Sequence, residues 1–389
     1  MTQSFELPVD KRRNVLDPVP ELLELNARAP LFRPPGGMPH WIVTDREVVR
    51  QILADAERFS SMPPPEPDGR KPDPHPGSLL QTDGAEHSRL RRLVAPMFTV
   101  RQMKALEPMM ARIVDQRLEV LERAGRPADL MRYFARPVSG LILAELIGLP
   151  RDDLSELSRL GDHRASGHSP RRHPATSEYV GHFRKLAAAQ RRAPGEGLAG
   201  MLIREHGDAV SDEEVAGICE SVANGSIENT AETIGLGVLA LLCHPDQLAL
   251  LRERPELMDR AVEELLRYVS VVASVSPRTA LVDVEIGGEL IKAGEVVSCS
   301  VFAANRCPYG GDDGTADRLD IAREPGNHLA LGFGVHFCLG AALARLQLRI
   351  ALTGLLERFP GLRLGTGVEE LRFRSLAPQF GVETLPVLW

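Results

Sequence analysis

Apolar positions along this 389-residue chain recur at helical spacing over most of its length and at strand spacing in only a few short pieces. The first 40 residues are proline-rich and loop-like, with an extended piece at Leu31–Arg33, and a strand follows at Trp41–Val43. From Asp45 onward, Val48, Val49, Ile52 and Leu53 fall three and four residues apart, which predicts an amphipathic helix with one buried stripe. Further helical patterns cover Val100–Gly125 and Ala135–Ile147, and the pattern weakens between Arg151 and Gly197. Ser211 and Glu214 make an S-x-x-E capping box, opening a pattern that runs to Cys243 and stops before Pro245. At a rise of about 1.5 Å per residue, roughly 32 residues give a helix about 48 Å long. Such a helix needs burial on several sides.

Strand signals come late. Val282, Val284 and Ile286 alternate, Gly287-Gly288 marks a two-residue turn, and Val296 and Val297 are expected to return as the second arm. Residues from Leu362 to Trp389 read as short strands, with a turn at Gln379, Phe380 and Gly381. The predicted class is mainly α with a small β region. Ser60 to Gly84 is too dense in proline for a helix or central strand, and a loop of that length in a compact fold is expected to be a lid over a pocket.

Composition narrows the function. Hydrophobic residues at 43% with charged residues at 25% describe a soluble globular protein with ample core. A net charge of −7 argues against a general nucleic-acid binder or an anionic-membrane binder. The opening residues lack an apolar leader, and no apolar run reaches the roughly 18 residues of a membrane span, so a cytoplasmic protein with no membrane partner is expected. Cys219, Cys243, Cys299, Cys307 and Cys338 include no CxxC pair, which argues against a disulfide framework or zinc site. His163, His168 and His173, spaced by five, share no helix face and read as solvated loop rather than a metal site.

Chemistry concentrates in NHLALGFGVHFCLGAALARLQLR, Asn327 to Arg349. Cys338 stands behind a turn containing Gly332 and Gly334 and ahead of a run of helix formers. Glycines let backbone pass close to a flat ligand, and a following helix directs its N–H groups and positive end at the sulfur, favouring the thiolate that binds metals. A second unusual stretch lies inside the long helical pattern, where Gly225, Ser226, Glu228, Asn229 and Thr230 replace apolar residues. Polar groups at mid-helix mark a distortion or a site.

The spacing of Gly334, His336, Cys338 and Gly340 resembles the haem-binding signature of the cytochrome P450 superfamily, and the likeness extends over roughly residues 20 to 389. The resemblance implies one haem-binding monooxygenase domain, residues 1–389, with the cytochrome P450 fold and haem b held non-covalently. It makes Cys338 the axial ligand of the iron, its electron donation promoting O–O cleavage. It places His87, Arg91, Arg278 and His336 on the haem propionates, a set of cationic or donor groups matched to two carboxylates. It puts Glu264, Arg267 and Arg318 in a buried network behind the haem. By spacing alone ExxR has no value, because Glu47–Arg50 and Glu369–Arg372 repeat it. It sets Glu228 in the acid position of the oxygen-activating pair, with Asn229 where an alcohol is usual, Ser226 where glycine is usual, and Leu331 where phenylalanine is usual.

Two roles for Asn229 stand side by side: orienting a water or substrate polar group near the iron, or satisfying a backbone carbonyl freed at a distortion. Ile227, Val271, Val272, Ala273, Val275 and Phe380 are the expected pocket lining, apolar and mostly small, suited to a bulky hydrophobic guest. Residues 151–197 are expected to cover the substrate. The implied reaction is O2-dependent oxidation of a secondary-metabolite intermediate. Because the chain runs only a short way past Cys338, electrons are expected from a separate ferredoxin and ferredoxin reductase. A non-catalytic haem-fold partner protein would be expected to lose the thiolate. A peroxide-driven oxidase would favour an arginine or another carboxylate-fixing group in the 225–230 stretch, which has none.

Overall fold

The computed structural model describes residues 13–33, 40–65, 73–157, 159–160, 174–306, 314–374 and 379–389. His163, His168, His173, Cys307 and parts of the 60–84 and 151–197 segments lie outside the described residues. The structure is mainly helical, with short strands, and the chain forms two compact units. The first comprises Met1–Pro72, Gly235–Cys338 and Thr366–Glu383, the second Asp73–Ile234, Leu339–Gly365 and Thr384–Trp389.

The first unit is built on a sheet of β1 (Leu31–Phe32), β2 (His40–Val43), β3 (Phe59–Ser60), β4 (Arg278–Ala280) and β5 (Val296–Cys299), in the spatial order β1-β2-β5-β4-β3. β2 and β5 run parallel, with Trp41 opposite Val297, and the other pairs are antiparallel. Side chains alternate across the strand as the pleat requires. Trp41 and Val43 enter a core with Val297, Cys299 and the stripe Val48, Val49, Ile52 and Leu53 of helix Arg46–Ala54. Ile42 enters another with Leu22, Ala273 and Phe302. Full burial of each Val, Leu or Ile contributes roughly 1.5–3 kcal/mol. Asp45 caps the helix, its side chain accepting from the Val48 N–H at 2.9 Å.

The hairpin differs from expectation in one arm. Gly287 and Gly288, at φ +60° and +83°, make the turn, but the strand paired with Val284–Ile286 is Glu289–Ile291. A second turn at Gly294 (φ +86°) brings the Glu295 carbonyl to the Ala280 N–H at 2.9 Å, and Val296–Cys299 continues as a central strand of the large sheet. The two-residue glycine turn pairs the residues next to it, leaving nothing for a distant arm to pair with.

In the second unit, helix Val100–Arg123 packs along helix Ala341–Arg358. Gly354 permits the close crossing, since a Cβ there would lie 3.2 Å from side-chain atoms of Val114 and Leu118. Helix Arg136–Ile147 is apolar and largely buried, and ends at Gly148 in the left-handed region, φ +80°. The weak pattern between 151 and 197 hides helix Pro174–Arg192, whose buried Tyr179, Phe183, Leu186 and Ala187 stand at i, i+4, i+7 and i+8. That spacing was available in the sequence. The C-terminal strand Pro386–Leu388 pairs with Ala128–Asp129 and with Arg363–Leu364.

The long helix is Asp212–Cys243, 32 residues, and the chain passes from the second unit to the first within it. The Ser211 hydroxyl accepts from the Glu214 N–H at 3.2 Å, while the Glu214 carboxylate turns to Arg89. The helix is unbroken through 225–230. Val215–Glu220 and Ala231–Leu241 are buried throughout, whereas Gly225 is exposed and Ser226, Ile227, Glu228 and Asn229 are half-buried. Its polar middle is therefore also its accessible part.

Candidate active site

The thiol turn in the first unit follows from two glycines. Gly332 and Gly334 both stand at φ +73°, and a Cβ on Gly334 would lie 2.2 Å from the Leu53 carbonyl oxygen at the end of helix Arg46–Ala54. Only glycine fits that approach. The Gly332 N–H donates to the Leu329 carbonyl at 2.8 Å and the Phe337 N–H to the Gly334 carbonyl at 3.0 Å. The Cys338 N–H donates to the Leu331 carbonyl at 2.9 Å, so position 331 acts on the cysteine through its backbone whichever side chain it carries. Cys338 is half-buried and His336 beside it likewise. Cys219 and Cys299 are deeply buried, and desolvation pushes both thiols up to about 12, which leaves them inert.

Elsewhere in the first unit, Glu264 and Arg267 form a buried bidentate pair at 2.7 and 2.8 Å. The remaining guanidinium hydrogens go to the carbonyls of Asn305 and Ala316, both at 2.6 Å, and Arg318 at 2.9 Å. Arg318 itself is exposed and joins through its backbone carbonyl. The side chain that faces Glu264 is Arg323, with Nε at 3.3 Å. Residue order located the network but assigned its third side chain to a neighbour five residues too early. Arg278 in β4 is buried and donates to the Ser276 carbonyl at 2.6 Å.

In the second unit, His87 and Arg91 lie one turn apart on helix Gly84–Val94, His87 buried and Arg91 half-buried. In the helix middle, Asn229 donates from Nδ2 to the Gly225 carbonyl at 2.9 Å, and its Oδ1 is buried with no partner among the described residues. Thr233 Oγ1 donates to the Asn229 carbonyl at 2.6 Å, and Ser139 from the neighbouring helix donates to the Ile227 carbonyl at 2.8 Å. The amide is thus fixed at its nitrogen end and presents an unused acceptor at the other. Glu228, its neighbour, is half-buried.

The end of the proline-dense segment is seated on this helix by backbone contact. A Cβ on Gly217 would lie 1.8 Å from the Pro76 carbonyl oxygen, and one on Gly77 2.4 Å from the Glu214 carbonyl oxygen. Ser221 Oγ contacts both the Gly77 carbonyl and the Leu79 N–H at 3.3 Å, and His75 Nε2 lies 2.9 Å from Glu220. The sequence reading passed over Gly217, whose signal was a glycine inside a helix pattern.

Of the expected lining residues, Ile227 is half-buried in the long helix. Val271 and Ala273 are buried, Ala273 in the core under β2, while Val272 and Val275 are half-buried. Phe380 is buried, donates its N–H to the Val271 carbonyl at 2.9 Å, and stacks on Phe373 with ring centroids 5.4 Å apart.

Comparison with known proteins decides what this geometry belongs to. The family model described as Cytochrome P450 matches residues 172–309 and 313–370. Cytochrome P450 165B3 of Amycolatopsis orientalis is 41% identical over all of both chains. The chain belongs to the cytochrome P450 family. Nocardicin C N-oxygenase of Nocardia uniformis subsp. tsuyamanensis is 39% identical over 96% of each chain. The Orf6* monooxygenase involved in teicoplanin biosynthesis has a similar structure, with TM-score 0.88 and 44% identity, covering 98% of this chain and all of the other. OxyC, implicated in an oxidative C–C coupling reaction during vancomycin biosynthesis, has TM-score 0.87 and 41% identity, covering 97% and 96%.

This cytochrome P450 is therefore an oxidoreductase with a haem-thiolate cofactor, of a family that uses O2 and redox partners. The residues of the thiol turn fit that cofactor: Cys338 is half-buried, and a Cβ on Gly332 would meet only the His336 carbonyl oxygen, at 3.8 Å, which leaves room for a flat group. Among the described residues no single helix is long and apolar enough to cross a membrane, and one bent pair, Asp212–Cys243 with Pro245–Glu253, passes that test by length and composition only.

Proposed function

We propose that this cytochrome P450 is cytoplasmic and oxidises a bulky, mainly hydrophobic secondary-metabolite intermediate with O2, using haem b ligated by Cys338 and drawing electrons from a separate ferredoxin and ferredoxin reductase. The whole chain acts as one haem-binding domain, with residues 60–84 as pocket lid and 151–197 as the substrate-covering region. His87, Arg91, Arg278 and His336 hold the propionates. Glu264, Arg267 and Arg323 brace the thiol turn from behind, with the Arg318 carbonyl as an added acceptor. The relatives named for teicoplanin, vancomycin and nocardicin support an antibiotic precursor as substrate.

When bound, the haem supplies a thiolate-ligated iron at which O2 is activated. The residue of this chain assigned to oxygen activation is Asn229. Its Nδ2 is engaged by the Gly225 carbonyl, and its Oδ1, buried and without a partner among the described residues, is the acceptor assigned to a water or a substrate hydroxyl. A carboxamide does not relay a proton as a hydroxyl does, since donor and acceptor sit on different atoms. Asn229 therefore orients the donor, and Glu228 beside it supplies the proton. Of the two roles for Asn229, the orienting one is taken here, since the Gly225 carbonyl that Nδ2 meets lies in an unbroken helix.

The observation that carries the proposal is the Cys338 turn, closed on the Leu331 carbonyl and fitted by Gly334 against Leu53. The reduced protein with CO is expected to show the red-shifted Soret band of thiolate ligation, absent in Cys338→Ser. A mutant that keeps the band would overturn the ligand assignment.

A further inference from the structure

Two described residues other than glycine hold a positive φ, Val15 at +58° and Ser270 at +40°, and they meet around one arginine. Such strain persists only where surrounding contacts over-determine it. Val15 lies in the tight turn joining Arg13–Asn14 to Asp17–Pro18. This small hairpin is fastened to the core: Arg306 donates to the Leu16 carbonyl at 3.1 Å and to Asp17 at 2.6 Å, and the Tyr268 hydroxyl reaches Asp17 at 3.1 Å. Ser270 ends helix Met258–Val269. Its hydroxyl donates to the Arg267 carbonyl at 2.9 Å and accepts from Asn305 at 3.0 Å.

Arg13 joins the two. Its guanidinium donates to the carbonyls of Val269 and, at 2.6 Å, Ser270. It lies over the Phe302 ring at 3.7 Å and the Phe380 ring at 4.3 Å from the centroids. Among the described residues its Nε, itself buried, has no hydrogen-bond partner, and no carboxylate pairs with it. Burial, with Arg306 close by, pushes its pKa well below the ordinary arginine value. A half-buried cation at a helix C-terminus is stabilised by the end carbonyls and by aromatic faces.

The segment after Ser270 is then pinned at alternate carbonyls. The Phe380 N–H holds the Val271 carbonyl at 2.9 Å, the Phe302 N–H holds that of Ala273 at 3.0 Å, and the Val275 N–H donates to Cys299 at 3.3 Å. Both aromatic residues that hold this segment by backbone are the ones Arg13 contacts by side chain.

We propose that Arg13 is a positioning residue for one wall of the substrate cavity, setting the path of Val271–Val275 and the placement of Phe380, and thereby selecting among bulky guests. This rests on the reading above that these residues line the pocket. Arginine supplies two parallel donors and a flat face, neither of which lysine reproduces.

The test uses full-length holoprotein and two iron-binding probes followed by Soret titration, imidazole and 4-phenylimidazole, with hydrogen exchange of peptides covering 269–275 and 371–383. Small imidazole reads access to the iron, and the bulkier probe reads the wall. Arg13→Ala is expected to weaken 4-phenylimidazole by about tenfold and Arg13→Lys by about threefold, with imidazole changed by less than about twofold. Exchange in both peptides is expected to quicken in each variant. Should Arg13→Ala fail to fold, Arg13→Lys carries the measurement. Unchanged 4-phenylimidazole affinity, or equal weakening of both probes, would overturn the proposal. If the unmutated protein binds neither probe, the haem-thiolate reading fails instead, and unchanged exchange then rejects the role of Arg13 independently.

Discussion

Glu264 and Arg267 stand three residues apart on a helix, and so do Glu47 and Arg50, yet the two pairs share nothing beyond their spacing. The first is bidentate at 2.7 and 2.8 Å, with side chains 2% and 8% exposed, and Glu264 also accepts from the Asp320 N–H at 2.9 Å. The second is a single 3.9 Å contact with Glu47 71% exposed, and Arg50 turns instead to the face of Phe333 at 4.4 Å. Phe333 is in the thiol turn, beside Gly332 and Gly334. Helix geometry offers the same i,i+3 meeting in both places. Burial and completed hydrogen bonding decide which one the fold depends on.

The largest expected effect is at the buried pair. Glu264→Ala and Arg267→Ala each strand a buried charge, and about 3–5 kcal/mol of stability should disappear, with loss of haem. Melting temperature and haem content measure it, and effects no larger than at Glu47 would break the comparison. Arg323, 26% exposed and 3.3 Å from Glu264, is the intermediate case. Arg323→Ala should lose about 1–2 kcal/mol, less when Glu264 is already replaced, and a double-mutant cycle reads that coupling.

Glu295 sharpens the contrast from another side. Its carboxylate accepts from Trp41 Nε1 at 2.8 Å and Arg33 at 2.6 Å, and these donors, Trp41 foremost, pull its pKa from 4.5 down to about 2. A folded-state pKa below the unfolded one gives a contribution fully present above about pH 4.5 and lost as pH falls toward 2. Denaturant midpoints between those limits should fall more steeply in the unmutated protein than in Glu295→Gln or Trp41→Phe. Identical slopes would show that these bonds do not perturb the carboxylate. The smallest effect belongs to Glu47→Ala, expected within about 0.5 kcal/mol and weaker still in high salt, because an exposed pair is screened. A change of the size seen at Glu264 would mean that exposure does not govern ExxR pairs in this protein.

Features set by neighbouring residues were legible in the chain. The helix Asp212–Cys243 with its Ser211 start, the left-handed glycines at 332 and 334, and the turn at Gly287-Gly288 each depend on backbone preferences or on hydrogen bonds reaching only a few residues. The cytochrome P450 resemblance rested on the same kind of signal, a cysteine framed by glycines and a helix start. The residues that the sequence misplaced all depend on distant partners. Val296–Cys299 looked like a hairpin arm and became a central strand, because its partners are His40–Val43 and Arg278–Ala280. Arg318 was matched by position, but the chain path from Arg318 to Arg323 turns the later side chain toward Glu264.

The sequence by itself therefore determined the helices, the caps, the tight turns and the one thiol framed for ligation, since each is a local balance of backbone sterics and short-range hydrogen bonds. Only the tertiary structure decided which of the identical ExxR pairs is buried, that Gly217 is the seat for Pro76, that the Asn229 oxygen has no partner among the described residues, and that Arg13 reaches the carbonyls of Val269 and Ser270. Those outcomes turn on burial and close approach, which are set by where the fold brings other segments and which sequence spacing does not encode.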